Sequence, residues 1–171
     1  EFAAGAEALS PSDDAAMTHA FNVLKDMKRY HASALPINFE PLLATLLSWP
    51  RDKAFPVLDF VRCALAHPEG AGVAAGAAGG PGPLVHRLLQ LMSDGPFALA
   101  IAVTGLKARA YAFACAALRP AMKEALPGVV GALPEGDLGN RSLALAVATV
   151  SANAAALAAG SATHSGGPAG D

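Results

Sequence analysis

Cys63 and His67 stand four residues apart in an apolar, helix-patterned stretch, so both project from one helical face. Two chemistries use such a pair. A metal ion could bridge it, but tetrahedral zinc takes four ligands and no second pair lies at a convincing spacing. A cysteine nucleophile with a histidine base needs an orienting third group and a cleft, which i,i+4 geometry on a rigid helix fits poorly. His19, His31, His86 and His164 are scattered. The carboxylates Asp13, Asp14, Asp26, Glu40 and Glu124 are spread over three predicted helices, leaving no identifiable acid/base couple. Gly70 to Gly82 is glycine-rich but lacks the Lys-Ser/Thr ending of a phosphate loop, and no Gly-x-Gly-x-x-Gly follows a strand. The expectation is a non-enzymatic chain with no metal and no cofactor.

Twelve Lys and Arg against 14 Asp and Glu give a net charge of −2 over 171 residues. Nucleic-acid binding rests on an excess of cations facing phosphates, so no nucleic-acid partner is expected. Hydrophobic residues make up 53%, with 6% aromatic and 15% charged, a core built from Leu, Val and Ala. Cys63 and Cys115, each in apolar helical context, read as free thiols in a reducing compartment. The most apolar run, Phe97 to Leu118, carries Lys107 and Arg109 at its centre, where lipid penalises charge, so no membrane partner is expected. Those two cations read instead as solvating a helix end. There is no basic segment followed by an apolar run, hence no secretory signal.

The elements that would position these residues are helices. Ser12 or Asp13 caps a helix from about Asp14, whose stripe is Met17, Phe21, Leu24, Met27 and Tyr30. Asn38 caps the next, with Pro41 in its first turn and Leu42, Leu43, Leu46 and Leu47 along it. Phe55-Pro56 opens another, striped by Val57, Leu58, Val61 and Leu65 and closed by His67-Pro68. The spacing then predicts a flexible Gly/Ala/Pro loop over 70–83, and helices over 84–92, 97–106, 110–126 and 140–157. A short helical turn is possible at 129–133. Residues 1–13 and 158–171 read as flexible tails. Seven or eight helices with no strand suit an all-α armadillo-like solenoid, with a compact orthogonal bundle as the rival.

Two segments resemble one family. Leu47-Ser48-Trp49-Pro50, Phe55-Pro56-Val57-Leu58-Asp59-Phe60-Val61-Arg62 and His67-Pro68 follow the pattern Leu-x-Trp-Pro, Phe-Pro-x-Leu-Asp-x-x-Arg and His-Pro of the PUL domain, found in phospholipase-activating protein and its fungal relatives. Asn140 to Asn153 resembles the same family's Asn-Lys-Asn-Ile-x-Ile-Ala-Leu-Ala-Thr-Leu-x-Leu-Asn run. The resemblance covers about residues 15 to 157 and implies roughly the first half of a longer armadillo-like array, as an N-terminal half or a divergent short form.

By that resemblance the chain is an adaptor of ubiquitin-dependent protein turnover. Its groove would bind the C-terminal tail of the hexameric ATPase valosin-containing protein, with ubiquitin reached through a neighbouring module, in the cytoplasm and also the nucleus. Arg62, Lys107, Asn140 and Arg141 are the candidate peptide contacts. Three have a structural alternative: Arg62 pairs with Asp59 at i,i+3, Asn140 caps its helix, and Lys107 is solvated. Trp49 reads as a packing anchor. One departure stands out. The family's Leu-Arg-Ala-x-x-Asn-x-Phe segment has Ile101 and Gly105 here in place of its Arg and Asn. The alternative function is a structural or regulatory segment of a larger enzyme, beside a thioredoxin-like or cysteine-peptidase domain.

Overall fold

A computed structural model describes residues 9–50, 53–93, 99–134 and 139–162. Among them are nine α-helices and no strand: α1 (Pro11–Leu24), α2 (Phe39–Ser48), α3 (Ala54–Ala66), α4 (Gly70–Ala77), α5 (Pro81–Ser93), α6 (Leu99–Ala114), α7 (Arg119–Glu124), α8 (Leu126–Gly131) and α9 (Arg141–Ala162). Two 3-10 segments, Met27–Ala32 and Ala116–Leu118, join them.

The chain starts its first helix earlier than the spacing predicts. Ser10 Oγ accepts from the Asp13 amide at 3.1 Å, and Asp13 Oδ2 accepts from the Ser10 amide at 3.2 Å. That reciprocal cap, with Pro11 behind it, sets the start at Pro11, three residues before Asp14. Leu24 ends α1, so the predicted single helix through Tyr30 divides into α1 and a 3-10 segment. Ala16, Met17, Ala20 and Leu24 are buried, whereas Phe21 is half exposed and meets Phe60 edge-on at 5.3 Å. Asn38 opens α2 without capping it. Its Nδ2 instead reaches Ser12 O and Oγ, each at 3.4 Å, tying the starts of α1 and α2 together.

The predicted flexible loop over 70–83 is largely helical. α4 packs on α2 and α3, with Gly70, Ala71, Ala74 and Ala75 buried. Its small side chains contribute little burial each, but they let backbones approach closely. At Gly70 a Cβ would overlap the Ala64 carbonyl of α3. α4 closes with a Schellman motif: Gly79, at φ 81°, donates to Gly76 O at 2.9 Å, and Gly80 donates to Ala75 O at 2.7 Å. Pro81 then opens α5, three residues before the predicted start.

α5 carries a long-range tie. Arg87 Nε donates to Leu47 O at 2.7 Å, and its Nη2 donates to Trp49 O at 2.8 Å. These carbonyls lie at the C-terminal end of α2, where a helix runs out of its own amide donors. Trp49 is buried as the predicted packing anchor.

The two patterns predicted for 97–106 and 110–126 are one unbroken helix, α6, followed by a 94° turn into 116–124. α6 is the spine: α3 packs along one side, α9 along another, and α5 and α7 also touch it. α1 packs on α2, α2 and α3 on α4, and α4 on α5. The main contacts recur at every third helix, α3 on α6 and α6 on α9, a regular stacking consistent with an all-α helical-repeat fold. α9 buries Ala146, Val150 and Ala154 and runs to Ala162, where a tail from 158 is predicted. By length and composition α9 also meets the test for a membrane-spanning helix, which the sequence reading did not single out.

Candidate functional site

α3, α6 and α9 enclose a groove of about 500 Å³. α3 contributes Arg62. α6 contributes Lys107, Ala110, Tyr111 and Ala114, which share one face by their three- and four-residue spacing. α9 contributes Ser142, Leu145, Ala146, Thr149 and Asn153, again a single helical stripe. Charged and polar groups stand at the rim, and alanines form the floor.

Arg62 is held in place. Its Nε donates to Asp59 Oδ1 at 2.8 Å, and its Nη2 lies 2.7 Å from the same oxygen and 3.3 Å from Cys63 Sγ. This is the predicted i,i+3 pair, formed by a residue that also lines the groove. Partial burial works against the charge of Arg62. The Asp59 hydrogen bond, with the nearby Cys63 and Tyr111, outweighs that and holds its pKa above the ordinary value. Lys107 is exposed and makes no ion pair or hydrogen bond among the described residues. Asn153 Nδ2 donates to Ala110 O at 3.4 Å, bridging α9 to α6 across the groove floor.

The other two candidates have different places. Asn140 Oδ1 accepts from the amides of Ser142 at 2.9 Å and Leu143 at 3.1 Å. It caps α9 as its structural alternative predicts, a role worth about 1 kcal/mol. It therefore positions Ser142 and does not line the groove. Arg141 is exposed beside Ser142 in sequence and also lies outside the lining residues. Tyr111 and Asn153 line the groove, and the sequence reading passed over both. The signal was present as the repeating stripes of α6 and α9, but which stripe faces solvent depends on contacts between distant helices.

The departure at Ile101 and Gly105 does not affect this groove. At about 100° per residue, Gly105 lies well over a quarter-turn from both Lys107 and Tyr111, and Ile101 lies about 120° from Lys107 and about 80° from Tyr111, outside the lining residues. Ile101 packs against the core, and Gly105 is buried.

The thiol chemistry considered for Cys63 is also resolved. His67 Nδ1 accepts from the Glu69 amide at 3.3 Å, and Nε2 lies 3.2 Å from Ser33 O, so both ring nitrogens are engaged away from Cys63. Burial pushes the Cys63 thiol up, countered in part by Arg62. Burial does the same at Cys115, countered by Arg119. Both thiols stay protonated near neutrality and are weak nucleophiles. Both cysteines are free. Among the described residues no group of three His, Cys, Asp or Glu could hold a metal ion.

Arg109 departs most from expectation. It is not a solvated helix end: it is 1% exposed, on the core face of α6. Among the described residues none of its three guanidinium nitrogens has a hydrogen-bond partner. Burial lowers its pKa to about 10.

A family model described as PUL domain matches residues 1–167. No curated protein and no solved structure matches the chain.

Proposed function

The chain belongs to the PUL domain family, a family of protein-interaction modules, and from that premise we propose that it binds the acidic C-terminal tail of the hexameric ATPase valosin-containing protein. The reading is of a non-enzymatic adaptor in ubiquitin-dependent turnover. It acts in the cytoplasm and nucleus and reaches ubiquitin through a neighbouring module.

One observation carries this reading. The α3–α6–α9 groove is edged by Arg62 and Lys107, and among the described residues no Asp or Glu lines it. Asp59 orients Arg62, while Lys107 is left for a ligand carboxylate. A carboxylate engaging both would form charge-assisted hydrogen bonds. The alanine floor accommodates the apolar side chains of an extended peptide. Such a site needs placed cations, not a high net charge.

Calorimetry at low salt with the acidic tail peptide should give a measurable affinity that weakens as salt rises. Lys107→Ala and Arg62→Ala should each weaken it about three- to tenfold, the range for a solvent-accessible charge pair at a binding rim. Arg141→Ala, outside the lining residues, should change it less than either. No heat of binding at low salt with the intact chain would sink the reading.

The second reading, a structural segment of a larger enzyme, draws on the apolar exposure of α9. Leu145, which lines the groove, is 67% exposed, and no charge occurs from Ser142 to Ala162. A neighbouring domain could cover that face, in which case no free peptide would bind.

A further inference from the structure

A second concavity, about 570 Å³, continues the first. Ala114 and Asn153 line both. On α9 the stripe that begins with Ser142 and Leu145 carries on through Ala156, Leu157 and Gly160 at the same three- and four-residue spacing. The two concavities are therefore consecutive lengths of one trough along one face of α9. The far end is edged by Arg119 and Lys123 of α7, neither of which the sequence reading singled out. Both are exposed, and neither forms an ion pair among the described residues. Glu124, next to Lys123, lines a different cavity beside His86 of α5. No Asp or Glu lines either length.

Gly160 lies 18 residues beyond Ser142 along the helix, about 27 Å at the α-helical rise. An extended peptide covers that distance with about eight residues. We propose that the trough is one bipartite site for an extended segment of about eight residues. Acidic groups at its two ends meet Arg62 and Lys107 at one end and Arg119 and Lys123 at the other. Uncharged side chains lie between them, over Ala110, Ala114 and Phe113. Asn153 stands midway, its Nδ2 on the Ala110 carbonyl, and its Oδ1 accepts a ligand backbone amide. The proposal rests on the peptide-binding reading and extends it. A ligand acidic at only one end would forgo half the electrostatic contact, and one acidic throughout would place desolvated charge over the alanine floor.

The test uses the full chain and two fluorescent ten-residue peptides. One has acidic pairs at both ends around six uncharged residues. The other has glutamines in place of one acidic pair. The two-ended peptide should bind about tenfold tighter to the wild type, because two rim charge pairs are added. In the Arg119→Ala/Lys123→Ala variant the two peptides should bind alike. Both substitutions are at exposed helical positions. Should the double variant fail to fold, Arg119→Gln alone should narrow the gap by about half in logarithmic terms. A tenfold gap that survives the double variant, or no gap in the wild type, overturns the bipartite site while leaving peptide binding intact. Failure of both peptides to bind the wild type overturns the peptide-binding reading as well.

Discussion

Arg109→Met is expected to make the protein more stable, by about 1–4 kcal/mol at neutral pH. The guanidinium is 1% exposed and has no hydrogen-bond partner among the described residues. An unpaired buried charge forfeits its hydration and receives nothing in return. Methionine fills a similar volume, favours helix, and removes the desolvated charge. The pH dependence follows from the lowered pKa, about 10 in the folded protein. At pH 7 the folded and unfolded chains both hold the proton, so the penalty is fully present and flat with pH. Above about 10 the folded chain releases it first. The unfolded chain then binds more protons, and stability rises with pH. The deficit of the wild type relative to the variant should therefore shrink above pH 10. Urea unfolding of both proteins at pH 7 and at pH 10.5 measures it. Arg109 lies on the face of α6 away from Lys107 and Tyr111, so peptide affinity should not move. A variant less stable than the wild type would show that the guanidinium has a partner.

Gly70→Ala should have the opposite effect, a loss of about 3 kcal/mol or more. The new Cβ would land on the Ala64 carbonyl, which is backbone in the last turn of α3 and already accepts from the His67 amide at 2.9 Å. No rotamer relieves that overlap, so α4 must move off α3. Gly72 is the control. It is exposed on the same helix, and its Cβ would meet nothing within 4 Å. Gly72→Ala should stabilise by about 0.5–1 kcal/mol through the lower entropy of the unfolded chain. Chemical denaturation of the two variants separates packing from propensity. Equal stabilities would refute the close approach of α3 and α4.

These two positions also show where sequence reading stops. The Val57, Leu58, Val61 and Leu65 stripe of α3 and the Leu42 to Leu47 stripe of α2 are all buried, because large apolar groups at helical spacing have one favourable place to go. The Asp59–Arg62 pair and the Asn140 cap were legible for the same reason: both are local. α4 was not. Its glycines and alanines lack the area to fold alone, and only contact with α2 and α3 makes the helix worthwhile. Arg109 was misread because charge ordinarily predicts solvent, and nothing in its flanking residues reports that it sits in the core. Arg62 and Lys107 were named as separate candidates, but that they edge one groove depends on α3 lying along α6. Arg119 and Lys123 carried no local mark.

Arg87 has a wider consequence. It joins the end of α2 to α5 through the carbonyls of Leu47 and Trp49, 40 and 38 residues away. If α5 were to detach in a fluctuation, α2 would lose both hydrogen bonds that Arg87 donates at its C-terminal end, so the two helices are expected to lose protection together. Helices in a linear array often fray one after another from an end. Here a single side chain welds two of them into one opening unit, and their backbone amides should trade protium for deuterium at a common rate.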